Sequence, residues 1–288
     1  MLSLWWAAAE SPSAPISRRG VHDGVPYRIE VPVSWNGKLV VFAHGYEGEG
    51  SGQGSVHTSP LATYLTSQGY AWAASGYRSR GNRPDWFVAD TLALRELFIR
   101  DIGPPHWTII HGMSMGGHVA IASLELYPSV YQGALIECGV IDGVSLGDLY
   151  VASWAAAEYF SGINLLEVLN RQERARRVYE QWLPLMGLPG AYTERGRRYD
   201  SAMKYLLQQM YRRRTLTAGT AHLLVQRAVR WPGHCTFTGE VREQAFDDLV
   251  RWIEGGIQPD GDDVLASDVS QIGLRWTPLL HVEDPLRQ

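Results

Sequence analysis

Trp107-Thr108-Ile109-Ile110-His111-Gly112-Met113-Ser114-Met115-Gly116-Gly117-His118-Val119-Ala120-Ile121-Ala122 decides how this chain is read. An apolar run leads into Gly-x-Ser-x-Gly, and a helix-like stretch follows at once. A serine on so sharp a strand-to-helix turn is pushed out of the backbone, and the flanking glycines remove side chains that would clash in the bend. The N–H groups that open the helix have no partner within it, so they suit a developing negative charge beside the serine.

The same pattern recurs at Gly143-Val144-Ser145-Leu146-Gly147, after the apolar run Gly133 to Cys138 and before another helical segment. Context favours Ser114. About 70 residues before it, Val40-Val41-Phe42-Ala43 reads as a buried strand ending in the turn His44-Gly45-Tyr46, where a second oxyanion donor is expected. Downstream, His222 to Val229 is followed by Trp231-Pro232-Gly233-His234, which places an imidazole on a loop leaving an expected strand.

Working outward, Tyr27–Val33, Lys38–Ala43 and Tyr70–Ser75 read as strands, with helices at Pro60–Gln68 and Pro84–Ile99. Strand, helix and strand then alternate through Trp107–His111, Gly116–Tyr127 and Gly133–Cys138. This alternation argues an α/β fold, a mainly parallel sheet with helices on both faces. From about Asp148 to Arg214 the pattern is helical and aromatic, which fits an inserted cap. The expected division is therefore a core of residues 1–147 and 215–288 and a helical cap of residues 148–214. A last helix carries Phe246, Leu249, Val250, Trp252 and Ile253 and ends at Gly255-Gly256.

With 288 residues, 45% of them hydrophobic, the chain can bury a large core without help from metal or disulfide. Lys38 and Lys204 are the only lysines, and the net charge of −4 gives no broad field for nucleic acid. No apolar run approaches the roughly 20 residues of a membrane span. The apolar start Met1 to Ala9 lacks a basic region, so no signal peptide is expected, though a trimmed one stays open and the compartment is unassigned. The two cysteines, Cys138 and Cys235, read as buried free thiols, with a disulfide as the alternative. No metal-ligand spacing accompanies the histidines, so no metal and no cofactor are expected. His111 and His118 read as packing or hydrogen-bonding residues, and His44 as a structural part of its turn.

Taken together, His44-Gly45, Gly112-Met113-Ser114-Met115-Gly116-Gly117 and Gly233-His234-Cys235-Thr236-Phe237-Thr238 resemble the α/β-hydrolase superfamily, in particular bacterial carboxylesterases. The resemblance covers roughly residues 25 to 260. Tannases and feruloyl esterases also place a Cys after the catalytic His, but pair it with a Cys just before the Ser, where this chain has Met113. The resemblance implies that Ser114 attacks an ester carbonyl through an acyl-enzyme. It also implies that His234 moves the proton and that the N–H groups of Met115 and Tyr46 bind the oxyanion. A small-molecule ester is the implied partner.

The chain departs from that family where a seventh strand should end in an acid. Between residues 183 and 233 the only acids are Glu194 and Asp200, and neither follows an apolar run. Three readings stay open: Asp142 as the acid, Asp200 or Glu194 as the acid, or a Ser-His dyad. A sheet lacking strand seven would leave a position that a homodimer could cover. Beside ester hydrolysis stand other acyl transfer, thioester or lactone hydrolysis, and a catalytically weak relative that binds a ligand.

Overall fold

The computed structural model describes residues 12–141, 143–188, 191–204, 206–229, 234–268 and 271–276. The chain forms two compact units. The first is Met1–Ile141 with Phe237–Gln258, and the second is Asp142–Thr236 with Pro259–Gln288.

The first unit is built on a six-stranded sheet of β1 (Ile16–His22), β2 (Val25–Val31), β3 (Lys38–Ala43), β4 (Ala71–Ser75), β5 (Trp107–Met113) and β6 (Gly133–Glu137), in the spatial order β1-β2-β4-β3-β5-β6. β4, β3, β5 and β6 are mutually parallel, whereas β1 and β2 are antiparallel additions at one edge. The mainly parallel α/β sheet expected from the alternation is thus present. Among the described residues no strand pairs with the far edge of β6.

β3 is central because Leu39-Val40-Val41-Phe42-Ala43 is apolar at every position, which suits a strand covered on both faces. Its period of two splits those side chains between two layers. Leu39 and Val41 pack with Leu94, Leu97 and Phe98 of α2 (Pro84–Asp101). Val40 and Phe42 turn the other way, onto Leu61 and onto Leu65 of α1 (Ala62–Ser67). α3 (Met115–Leu126) lies on the α2 side, where Val119 and Ala120 meet Ile110, Phe87 and Val88.

The second unit is mainly helical. α4 (Gly143–Ser161) is followed by α5 (Arg171–Arg177), which passes through a π turn at Val178–Trp182 into α6 (Leu183–Met186). A two-residue pair, β7 (Gly187–Leu188) and β8 (Ala191–Tyr192), precedes α7 (Glu194–Lys204) and α8 (Leu206–Thr217). Some of its aromatics pack on one another: the Trp182 and Tyr199 rings meet edge-on at 5.1 Å, and Trp182 Nε1 donates to the Ala157 carbonyl, whereas Tyr159 and Tyr179 are exposed. The chain then returns to the first unit as α9 (Gly239–Gly255). Thr238 caps its start by accepting from the Val241 N–H, and left-handed Gly256 ends it. Phe246 and Val250 of α9 complete the layer over Val40 and Phe42.

Three expectations need correcting. β1 was not anticipated, because Ser17, Arg18, Arg19 and Gly20 are exposed and carry no apolar signal. Its signature is the turn instead: Asp23 and Gly24 both adopt positive φ, 50° and 79°, as a two-residue hairpin requires. The strand expected before His234 is also absent from the described residues. Ala221–Leu223 is a short 3₁₀ turn, and residues 224–229 are irregular. There the Ala228 N–H donates to Asp262 and the Gln226 carbonyl accepts from the Asp262 N–H, so a C-terminal segment takes the bonds a sheet ladder would have made. Finally, both cysteines of the chain, Cys138 and Cys235, are disulfide-bonded rather than free.

Below the end of β5 runs a buried polar chain. Ser59 Oγ accepts from the Leu61 N–H, so its hydroxyl proton is directed to His111 Nδ1 at 3.4 Å. His111 Nε2 then donates to Glu137 Oε1 at 2.8 Å, and Arg242 Nε of α9 donates to Glu137 Oε2 at 2.8 Å. Burial would raise the Glu137 carboxyl, but the bond from His111 and the charge of Arg242 outweigh it and hold the group below its ordinary value of 4.5.

Removing the guanidinium by Arg242→Ala should lower the unfolding free energy by about 3 kcal/mol, read by urea denaturation at neutral pH. A carboxyl depressed in the folded state stabilises at pH values above its unfolded pKa, and that contribution is lost as pH falls through the folded value. Stability should therefore decline below pH 4.5 in the wild type and less steeply in Glu137→Gln.

Candidate functional site

Ser114 stands between β5 and α3 with φ 54° and ψ −120°, a backbone conformation that L residues rarely adopt. The bend is held at several points. Ser114 N–H donates to the Glu137 carbonyl at 3.1 Å, while the Ser114 carbonyl accepts from Gly117 N–H at 2.9 Å and Val140 N–H at 3.0 Å. The two glycines of the motif are required by close approach. A Cβ on Gly116 would lie 1.9 Å from the Ala43 carbonyl oxygen, and one on Gly112 would lie 2.2 Å from that of Gly116. Ser114 itself stays partly exposed at the head of α3, next to buried Met115.

The turn after β3 passes beside the serine, so a Cβ on Gly45 would sit 3.3 Å from Ser114 Cβ and 3.9 Å from Ser114 Oγ. Tyr46 follows, half exposed, with its hydroxyl donating to Glu49 at 2.8 Å. His44 is only 3% exposed and lies between the Tyr77 ring at 4.3 Å and the His57 ring at 4.4 Å. Burial, reinforced by the neighbouring His57, pushes its pKa down to about 4, so the ring is neutral near pH 7. His57 Nε2 bonds Glu47 Oε1 at 2.5 Å, and the Ser55 N–H donates to Glu47 Oε2 at 2.8 Å. Burial alone would raise Glu47, but these bonds bring it below its ordinary value.

The other expected residues are distributed as follows. Ser145 lies within α4 and not on a strand-to-helix turn, so only Ser114 has the backbone the motif requires. His234 belongs to the second unit and is exposed, immediately before Cys235, which has φ 58°. Asp142 lies outside the described residues. Asp200 is in α7, and so is Glu194, which is engaged on the surface with Arg198. His111 is a buried hydrogen-bonding residue, as expected. His118 is half-buried on α3, which lowers its pKa. Sequence reasoning gave no role to Glu47 or His57. They come together with His44 only through the fold of a glycine-rich loop, and a spacing of three and thirteen residues outside any helix or strand carries no pattern.

Among the described residues no helix is long and apolar enough to cross a membrane. No curated protein matches the chain. Solved structures share parts of it at low identity. A dienelactone hydrolase from Anabaena variabilis is 18% identical with a TM-score of 0.35, over 43% of this chain and 64% of that one. An acetyl xylan esterase from Aspergillus awamori is 17% identical with a TM-score of 0.35, over 43% and 52%. A carboxyl esterase from Bacillus coagulans is 15% identical with a TM-score of 0.36, over 52% and 53%. The chain thus spans less than two thirds of each. The model of a tannase-like family of unknown function (DUF6351) matches residues 22–181, which is more than half of the 288 residues and includes the whole elbow. With this match over more than half of its length, the chain belongs to that tannase-like family.

Proposed function

We propose that this protein is a serine hydrolase of carboxylic esters, with Ser114 as nucleophile. The observation that carries the reading is the strained elbow: a serine at φ 54° and ψ −120°, heading α3, within 3.9 Å of the point where the preceding turn would place a Cβ on Gly45. Strain of this kind costs about 1–3 kcal/mol and persists where the surroundings over-determine it, as the Gly112 and Gly116 contacts do here.

In this mechanism His234 takes the Ser114 proton as Oγ attacks the ester carbonyl, and returns it to the departing alcohol. Water then attacks the acyl-enzyme by the same route. The N–H groups of Met115, at the positive end of α3, and of Tyr46 hold the oxyanion. Asp142 is the first candidate for the carboxylate that orients His234, and Asp200 the second. The choice of ester is assigned to the aromatic helices of residues 148–214. One feature supports His234 as the base: it follows the serine in the chain order that the resemblance implies.

Hydrolysis of short p-nitrophenyl esters tests the reading. Ser114→Ala should lower kcat by about 10⁴-fold or more and Ser145→Ala should leave it unchanged. Asp142→Asn should cost about 10⁴-fold if Asp142 orients the imidazole, and an intact rate would eliminate Asp142 and leave Asp200, Glu194 or a Ser-His dyad. A fluorophosphonate should label the wild type and Ser145→Ala but not Ser114→Ala. A wild type that is neither labelled nor active would overturn the proposal in favour of a ligand-binding relative.

A further inference from the structure

His44, Glu47 and His57 form a cluster that the ester mechanism does not use. One ligand-type atom from each lies within 4.8 Å of the other two. His44 is buried to all but 3%, and its Nε2 has no hydrogen-bond partner among the described residues. A buried polar atom without a partner is costly, so its retention calls for an occupant. The tautomer is fixed by the other nitrogen. Nδ1 lies 2.7 Å from the Gly45 carbonyl, which can only accept, so Nδ1 carries the proton and Nε2 carries the lone pair. A histidine oriented through a backbone carbonyl, with its other nitrogen unprotonated, is in the state that metal-bound histidines adopt.

From this arrangement we propose that His44 Nε2, His57 and Glu47 bind a divalent first-row transition ion of the zinc type. Two imidazoles and one carboxylate suit such an ion and not calcium or magnesium, which require an oxygen cage. Both cysteines are in a disulfide and offer no competing thiolate. The two rings are nearly parallel, with 18° between their planes, so one ion cannot lie in both planes at once. His57, whose side chain is 46% exposed, tilts to complete the site while buried His44 stays fixed. The Ser55 N–H already orients Glu47 as an outer partner.

The ion has a physical task in this position. The loop between the ligands, Glu47-Gly48-Glu49-Gly50-Ser51-Gly52-Gln53-Gly54-Ser55, holds four glycines, three of them at positive φ. Such a loop loses more conformational freedom on ordering than one of the same length without glycine. An ion shared by its two ends offsets that loss and fixes Tyr46, which lies between two of the ligands in sequence.

The untagged protein, stripped with chelator and dialysed, is titrated with cobalt(II) and with zinc(II), following the cobalt visible spectrum and the zinc affinity by calorimetry. One equivalent should bind, with a d–d band of a nitrogen- and oxygen-ligated centre. His57→Ala, an exposed change whose folding is verified by circular dichroism, should weaken zinc binding by more than tenfold, the scale that even outer-shell changes reach. Glu47→Gln should do the same. Failure of the wild type to take up one equivalent, or unchanged affinity in both variants, would overturn the site. Neither readout depends on ester hydrolysis, so this proposal and the catalytic one fail separately.

Discussion

The contact on which this architecture turns is the approach of α3 to β3 at Gly116, where any side chain would occupy the space of the Ala43 carbonyl oxygen. That approach lets the chain leave β5, reverse through Ser114 and enter a helix within one residue. It also brings the end of β3, and with it Gly45, against the serine. β5 flanks β3 along its full length, from Lys38 opposite Trp107 to Ala43 opposite Gly112, and the helix begins directly after the elbow.

The elbow is supported from beneath as well. Glu137 serves it twice, its carbonyl receiving the Ser114 N–H and its carboxylate gathering His111 and Arg242. A strand end that would otherwise fray is thereby fixed from β5 on one side and α9 on the other. The ion pair is buried, and breaking such a pair destabilises more than replacing it whole, which makes the network a demand on the sequence as much as a source of stability.

What could be read from the sequence was what depends on neighbours along the chain. β3 was legible because its run of apolar residues has one stable location, the middle of a covered sheet. Ser114 was legible because its glycines and its helix lie within a few residues. β1 escaped because an exposed edge strand buries little, although Asp23-Gly24 marked its turn. His222 to Val229 misled for the opposite reason: its apolar residues promised a strand, but the backbone at Gln226 and Ala228 bonds to Asp262. The His44, Glu47 and His57 cluster is a product of tertiary folding, and local composition carries no trace of it.

Position 114 also sets chemistry against evolution toward stability. Glycine would satisfy its φ of 54° without strain, so among variants selected for folding alone this turn would drift to glycine, as such positions do elsewhere. A serine kept there is a standing thermodynamic debt of one residue. Under the proposed mechanism, attack by its Oγ is what that cost serves.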